Sequence, residues 1–192
     1  LPIINAGDGF HEHPTQALLD LMTIFERKKQ IRGTRVLIVG DIAHSRVARS
    51  NIYALKTMGA EVSVCGPPTL LPPKVEKMGV KVFYEFEKAV REQDVVMMLR
   101  IQFERLSHGQ SPSQGEYARF YGMNQRVLKL CRPDVLIMHP GPVNRGVELA
   151  TDVADSSRSV ILNQVSNGVL LRMSALHLLS GGEPLSRGEE IQ

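Results

Sequence analysis

The sequence predicts an α/β fold in which a doubly wound, mostly parallel sheet of about five strands is flanked by helices. Short apolar runs typical of buried strands alternate along the chain with segments of helical periodicity. Three of these runs end in polar residues, at Asp41, Arg100 and His139. The polar residues at the end of each run are called strand exits here. Because the carboxyl ends of parallel strands lie along one edge of a sheet, these strand exits predict a single ligand site.

In the first 65 residues, the pattern of apolar residues predicts one helix followed by a βαβ unit. Residues 3–8 are strand-like, and the helix is predicted over residues 14–29, where apolar side chains recur at helical spacing and Pro14 suits the first helical position. The elements of the βαβ unit are a strand at 35–39, a helix at 45–58 that Gly59 closes in the left-handed conformation, and a strand at 61–65.

The same alternation continues to the end of the chain. The further predicted elements are strands at 80–83, 94–98 and 135–138 and helices at 86–92, 124–130 and 163–179, with two glycines ending the last helix. The polar, glycine-bearing stretch 104–122 predicts a mobile loop beside the site, because long loops in compact domains are usually functional or disordered.

Composition narrows the class of protein. The 192 residues are 43% hydrophobic, which is enough for a sizeable core in one domain. The formal net charge is only +3 and the basic residues are scattered, which argues against a nucleic-acid partner. There is no apolar run as long as a membrane span, and two distant cysteines fit a reduced, cytoplasmic setting.

Arginine side chains at two of the strand exits predict a clamp for a dicarboxylate. Arg46 lies near the N-terminus of the predicted helix at 45–58, where anions are favoured, and its planar guanidinium can hold a carboxylate with two hydrogen bonds. A surface arginine paired with Asp41 or another nearby acid is the alternative. Arg100 directly follows an apolar strand, and Gln102 adds an amide two residues later.

The start of the first helix and the exit of the last strand predict a second part of the site. His13 could polarise a carbonyl while Gln16 holds an amine, and capping of the helix is the alternative role. The stretch after His139, with Pro140 and Gly141, is poor in backbone N–H donors and rich in carbonyl acceptors, which suit a ligand NH₂ group. A rigid turn is the alternative there.

Metal and cofactor chemistry is not expected. Residues 11–13 place two histidines only two positions apart, which is not the spacing of a zinc helix. Residues 40–46 lack the glycine spacing of a dinucleotide fingerprint. We therefore expect neither a metal nor an organic cofactor.

Six stretches of the sequence resemble, in family order, the catalytic chain of the aspartate carbamoyltransferases. The similarity spans nearly the whole chain. The stretches are NAGDG at 5–9, HPTQALLD at 13–20, GD at 40–41 with SRV at 45–47, LRIQFER at 99–105, HPGPVNRGVE at 139–148, and QVSNG at 164–168 with Arg172.

The resemblance is to the second, aspartate-binding half of that enzyme, and it implies one such domain over residues 1–192. Helices at 14–29 and 163–181 would join it to an N-terminal carbamoyl-phosphate domain. The implied reaction transfers carbamoyl from carbamoyl phosphate to L-aspartate in pyrimidine synthesis, giving N-carbamoyl-L-aspartate and phosphate. The resemblance further implies a homotrimer when complete, and a regulatory chain or a dihydroorotase as a partner.

The same resemblance implies roles for individual residues. It implies that His13 polarises the carbamoyl carbonyl and that Gln16 holds the carbamoyl amino group together with the carbonyls of Pro140 and Gly141. The residues implied to bind the aspartate carboxylates are Arg46, Arg100 and Gln102.

One departure from the family pattern bears on activity. The Ser-Thr-Arg-Thr phosphate-binding motif and the lysine-bearing loop of a neighbouring subunit are absent from the sequence. We therefore expect the chain to need the carbamoyl-phosphate domain. The alternatives are a non-catalytic dicarboxylate-binding or scaffold module, and an ornithine carbamoyltransferase relative. The ornithine carbamoyltransferase alternative is disfavoured because that family has a cysteine where this chain has Thr15, and another cysteine in the loop that corresponds to residues 139–142.

Overall fold

The computed structural model describes residues 2–102 and 112–183, which contain a parallel sheet of five strands in the order β3-β2-β1-β4-β5. The pairs β1–β2, β1–β4, β2–β3 and β4–β5 are all parallel. The predicted doubly wound fold class is therefore confirmed. The strands are β1 Arg35–Val39, β2 Glu61–Cys65, β3 Lys81–Phe83, β4 Val95–Met98 and β5 Leu136–Met138.

Helices cover both faces of the sheet. They are α1 Pro14–Lys28, α2 Arg46–Thr57, α3 Phe86–Ala89, α4 Gln114–Tyr121, α5 Gln125–Leu128, α6 Thr151–Ala154 and α7 Ile161–Leu179, with short 3₁₀ helices at Pro68–Leu70 and Val75–Met78. Within the described ranges, none of the helices combines the length and the apolar character that a membrane span needs.

Alternate residues of the central strands build two apolar layers, one on each face of the sheet. Ile38 packs on one face in a cluster with Ile24 of α1 and Ile52 of α2. Its neighbour Val39 packs on the other face in a cluster with Val127 of α5. All these side chains are buried, as expected for a sheet that is covered on both faces.

Two predicted segments differ from the structure. The stretch 104–122 contains the helix α4 rather than a continuous loop, because Ser113 caps it by accepting a hydrogen bond at 3.2 Å from the N–H of Glu116. Of the predicted loop, residues 104–111 lie outside the described residues. Residues 3–8 form no strand of the described sheet: Ile3 is 91% exposed, and Asp8 makes only an isolated bridge to Glu12.

The helices α1 and α7 pack on each other and leave apolar side chains in solvent. On α1, Leu18 and Phe25 are about half exposed, whereas Leu21 of the same predicted face is buried in the core. The helix α7 begins two residues before the predicted start at 163. Its exposed apolar side chains are Val165, Val169, Leu170, Met173 and Leu176. Exposed apolar side chains that gather on one face are typical of surfaces that contact other protein structure.

Candidate functional site

The candidate site lies at the edge where the strand order reverses. β1 is in the middle of the sheet, with β2 on one side and β4 on the other. The segments that follow β1 and β4 therefore diverge and leave a crevice at the carboxyl ends of the strands. Ligands of open α/β sheets bind in such crevices.

A cleft of about 220 Å³ occupies this crevice. It is lined by segments from the start of α1, from the end of β1 through the start of α2, and from the exits of β4 and β5. The structure thus brings together all seven residues predicted for the site, although their roles stay predictions. These residues are His13, Gln16, Arg46, Arg100, Gln102, Pro140 and Gly141.

Arg46 is the first residue of α2 and lies over the N-terminal segment. Ser45 precedes it as the helix cap. The guanidinium Nη1 of Arg46 donates to the carbonyl of Gly9 at 3.4 Å. It also lies against Gly7, where a Cβ atom would come within 3.0 Å of Arg46 Cζ. Gly7 has a φ of +125°, so both its backbone and its lack of a side chain fit this contact.

The carboxylate of Asp41 is engaged by His44 and not by Arg46. Both Asp41 oxygens lie 3.0 Å from His44 Nδ1, and the backbone N–H of His44 donates to Oδ1 at 3.0 Å. The predicted alternative, an Arg46–Asp41 surface pair, is therefore not what the structure shows. Asp41 and His44 also line the cleft, although no role is predicted for them from the sequence.

His13 precedes α1 and is half-buried in the cleft. Within the described part of the chain, its side chain caps none of the N–H groups of α1. Its backbone N–H donates to Ser50 Oγ at 2.8 Å, which anchors the residue to α2. The Thr15 hydroxyl lies 3.4 Å from His13 Nδ1. When Thr15 donates to Nδ1, the hydrogen of the neutral ring is on Nε2.

The electrostatics of the cleft keep the His13 ring neutral and favour anions. Burial lowers the pKa of His13 below its ordinary value of 6.5, and the positive charges of Arg46 and Arg172 lower it further. A neutral imidazole can donate a hydrogen bond to a developing oxyanion without giving up its proton. With Arg100 also in the lining, the cleft suits an anionic ligand.

His139 shapes the loop after β5 from a fully buried position. Its Nδ1 accepts the backbone N–H of Gly141 at 2.9 Å, so Nε2 carries the ring hydrogen and donates to Glu148 Oε1 at 3.1 Å. Glu148, also fully buried, accepts the backbone N–H of Asn144 at 2.6 Å. These hydrogen bonds hold the loop in place, and it presents Pro140 and Gly141 to the cleft, which is compatible with both predicted roles of the loop.

Behind the cleft, the Asp20 carboxylate is fully buried among side-chain amides. Its Oδ1 accepts from Gln16 Nε2 at 3.1 Å and from Gln164 Nε2 at 2.8 Å, and its Oδ2 accepts from Asn51 Nδ2 at 2.8 Å. Burial raises the pKa of Asp20 to about 6, although the three amides lower it. The carboxylate is thus ionised at neutral pH. Sequence reasoning assigned Asp20 no role, and only its i,i+4 spacing from Gln16 could have suggested one.

No metal site is evident in the described ranges, where no three His, Cys, Asp or Glu side chains gather closely enough to hold an ion. The buried thiols of Cys65 and Cys131 are unpaired. Burial raises the pKa of the Cys65 thiol to about 12 and that of the Cys131 thiol to about 11. Both thiols are protonated at neutral pH and serve as small apolar core groups.

Most of the chain matches one known protein family. Residues 32–179 match the family described as aspartate/ornithine carbamoyltransferase, Asp/Orn binding domain. Residues 1–26 match the companion description, the carbamoyl-P binding domain of the same family. The chain belongs to the aspartate/ornithine carbamoyltransferase family. The resemblance in the six sequence stretches is thereby confirmed.

Curated members of this carbamoyltransferase family are close in sequence. The aspartate carbamoyltransferase catalytic subunit of Syntrophotalea carbinolica is 58% identical over 183 residues, covering 95% of this chain and 58% of that subunit. The corresponding subunit of Desulforamulus reducens is 59% identical over 94% of this chain and 58% of its own length. The chain therefore spans less than two thirds of these relatives.

Solved carbamoyltransferase structures share the fold. Pyrococcus furiosus ornithine carbamoyltransferase superposes with a TM-score of 0.78 at 30% identity, covering 91% of this chain and 58% of that one. Trypanosoma cruzi aspartate transcarbamoylase in complex with N-(phosphonacetyl)-L-aspartic acid also gives a TM-score of 0.78, at 28% identity, over 91% of this chain and 58% of its own.

Proposed function

We propose that this chain is the aspartate-binding part of an aspartate carbamoyltransferase. The enzyme transfers the carbamoyl group of carbamoyl phosphate to the amine of L-aspartate in pyrimidine synthesis, giving N-carbamoyl-L-aspartate and phosphate. The observation that carries the proposal is one cleft, at the switch point of the sheet, whose lining combines Arg46, Arg100 and Gln102 with His13 and Gln16.

The charge of this cleft favours aspartate over ornithine as the acceptor. The two carboxylates of aspartate are matched by the guanidinium groups of Arg46 and Arg100, which can each bind a carboxylate with two hydrogen bonds. The side-chain ammonium of ornithine would instead face these two cations and be repelled. The 58% identity to aspartate carbamoyltransferase subunits agrees with this choice.

The chemistry we propose needs orientation and oxyanion stabilisation, and no cofactor. The aspartate nitrogen forms a bond to the carbamoyl carbon, and a hydrogen bond from His13 stabilises the oxyanion. Gln16 and the carbonyls of Pro140 and Gly141 accept the carbamoyl NH₂. The bond from carbon to the phosphate oxygen then breaks, and the leaving phosphate takes the proton released by the amine.

We further propose that a first domain completes the site. The match of residues 1–26 to the carbamoyl-P binding domain and the exposed apolar faces of α1 and α7 support this arrangement. In it, the aspartate domain lies within residues 1–192, the first 26 residues continue from the carbamoyl-phosphate domain, and the helices at 14–29 and 163–181 bridge the two domains. A homotrimer, a regulatory or dihydroorotase partner and a cytoplasmic location are parts of the same proposal.

The proposal is tested by asking which acceptor is carbamoylated. The N-terminal part of the Syntrophotalea carbinolica subunit, up to the position that aligns with residue 1, is joined ahead of residue 1, and we call this protein the fusion enzyme. With carbamoyl phosphate, we expect carbamoyl aspartate to form from aspartate and no citrulline to form from ornithine. Citrulline formation would favour the ornithine alternative. Absence of both products, with tight binding of a dicarboxylate, would favour a scaffold or binding module.

Replacing Arg100 should remove one of the two guanidinium groups proposed to bind the aspartate carboxylates. In the fusion enzyme, we expect Arg100→Ala to weaken binding of N-(phosphonacetyl)-L-aspartate by about 2–4 kcal/mol, the loss typical of truncating one partner of a desolvated charge pair. Calorimetric titration measures the effect. Replacing Arg91, which lies outside the cleft, by alanine is the control and should leave the affinity unchanged. An unchanged affinity in Arg100→Ala would remove Arg100 from the site.

A side chain at Gly7 should displace Arg46. We expect Gly7→Ala to weaken binding of the same inhibitor about tenfold, because the added Cβ would meet the guanidinium at 3.0 Å. Gly33→Ala is the matched control: Gly33 has a φ of +76° and no atom within 4 Å of its added Cβ. It should lower the melting temperature, because it also places a side chain at positive φ, but leave binding unaltered. Equal binding losses in both variants would contradict the contact with Arg46.

A further inference from the structure

The Asp20 carboxylate lies directly behind the Gln16 amide, and the two residues are one turn apart on α1. Three side-chain NH₂ groups donate to Asp20, those of Gln16, Gln164 and Asn51, which is the arrangement that an ionised carboxylate requires. An ionised carboxylate has only acceptor atoms. Each amide that contacts Asp20 must therefore turn its NH₂ group toward it.

This requirement fixes which atom Gln16 presents to the cleft. Its Nε2 donates to Asp20 Oδ1 at 3.1 Å, so its Oε1 lies on the opposite side of the planar amide. Gln16 is only 7% exposed, and it lines the cleft. With Nε2 engaged by Asp20, the polar atom that Gln16 has left for the cleft is Oε1, which is a hydrogen-bond acceptor.

The same requirement orients Gln164 of α7 and, through it, the loop after β5. Gln164 Nε2 donates to Asp20 Oδ1 at 2.8 Å, which leaves Gln164 Oε1 to accept the backbone N–H of His139 at 2.9 Å. One carboxylate thus fixes the amide of Gln16 and the anchor of the loop that carries Pro140 and Gly141.

We propose that Asp20 is a positioning residue that makes the site selective for a carbamoyl group. It does so by turning the Gln16 acceptor toward the NH₂ of the substrate. The inference rests on the proposed function, because a carbamoyl group is the ligand that offers this NH₂. A methyl group in the same place can satisfy no acceptor, so acetyl phosphate is the probe that lacks the contact.

A double substitution can invert the Gln16 amide while keeping the buried charge. In Asp20→Asn with Gln164→Glu, the carboxylate moves to position 164, where it can accept from the new amide at position 20 and from the His139 N–H. The oxygen of this new amide then faces the Asn51 NH₂, and its NH₂ group faces Gln16. Gln16 must turn its oxygen inward and present its own NH₂ to the cleft. Every buried donor in this group retains an acceptor.

Two single variants serve as controls. In Asp20→Asn alone, the oxygen of the new amide keeps the Gln16 and Gln164 contacts, because the opposite orientation would place its NH₂ against both of their NH₂ groups. The new NH₂ then faces Asn51, whose buried Oδ1 makes no hydrogen bond within the described residues and can turn to accept it in exchange for the contact to the Val47 carbonyl. Thr23→Val perturbs the same α1–α7 contact without involving Gln16. The buried Thr23 hydroxyl donates to the Leu19 carbonyl at 2.8 Å and accepts from Asn167 at 3.0 Å.

The measurement compares carbamoyl phosphate with acetyl phosphate in the fusion enzyme. The double variant should raise the KM for carbamoyl phosphate at least about tenfold and leave the inhibition constant of acetyl phosphate within about twofold. Both constants should stay within about threefold of the unsubstituted enzyme in Asp20→Asn and in Thr23→Val. General damage to the site would instead raise both constants together.

Several outcomes would overturn the inference. One is a folded double variant, judged by circular dichroism and melting, whose preference for carbamoyl phosphate is unchanged. Another is an equal loss of preference in Thr23→Val. If the double variant does not fold, Asp20→Ala takes its place, since it removes the acceptor and should reduce the preference in the same direction. An unsubstituted fusion enzyme that forms no carbamoyl aspartate would overturn the proposed function itself, whereas the other outcomes overturn the role of Asp20 alone.

Discussion

In the fusion enzyme, His13→Ala should lower the turnover number by roughly 10²–10³, the range found when one donor to an oxyanion is removed. The effect should fall on turnover and not on stability. Within the described residues the His13 side chain caps no N–H of α1, and the contact to Ser50 is made by the backbone, which alanine retains. Steady-state kinetics and thermal melting on the same samples test both parts.

The matched control for His13 is a residue that does cap a helix. Asn124 Oδ1 accepts the N–H of Val127 at 3.1 Å at the start of α5, and Asn124 is not part of the cleft lining. Asn124→Ala should cost about 1 kcal/mol of unfolding free energy and leave turnover unchanged. The two variants should thus show opposite patterns. A large fall in melting temperature with normal turnover in His13→Ala would show a structural role for the residue.

The sheet could be predicted from sequence because its strands are buried on both faces. Each one is a short apolar run, and the predicted bounds of 35–39 and 61–65 agree with β1 and β2. The shorter observed spans of β3, β4 and β5 differ by one residue, at the point where each strand joins the preceding segment. End residues are the least constrained part of any strand, because they have fewer ladder hydrogen bonds.

The helix α4 could not be predicted from periodicity because it buries little apolar surface. Among its residues only Tyr117 is buried, and Gly115 lowers the helix propensity of its first turn. A local signal was present, since Ser113 and Glu116 have the spacing of a capping box. The four-residue helix α6 is too short to show periodicity at all.

The parts of the cleft lining that follow β1, β4 and β5 could be predicted from sequence, because the carboxyl ends of parallel strands lie at one edge of the sheet. That argument does not reach His13 and Gln16, since residues 3–8 form no strand of the described sheet. The buried polar side chains behind the lining could not be predicted either. The partners of Asp20 are Asn51 and Gln164, which come from α2 and α7, and nothing local in the sequence indicates that these helices meet at Asp20. Buried polar networks depend on the packing of distant elements, so they become visible only when the fold is known.

We expect the 192-residue chain by itself to show no measurable carbamoyl transfer. Phosphate carries most of the charge of carbamoyl phosphate, and the sequence has no Ser-Thr-Arg-Thr motif to hold it. Adding a separately expressed carbamoyl-phosphate domain should restore part of the activity, because a partner stabilises the state that it binds. Formation of carbamoyl aspartate is measured with each piece alone and with both pieces mixed.

A substitution on the exposed face of α7 tests whether restoration depends on docking there. Val169 is 57% exposed, so Val169→Lys should leave the chain folded while placing a charge in the proposed contact, and it should abolish restoration. Phe120→Lys is the matched control, since Phe120 is 56% exposed on α4 and should leave restoration intact. Equal restoration in both variants would remove α7 from the contact. Full activity from the chain alone would refute the two-domain proposal, because the phosphate would then have to be held by residues of this chain.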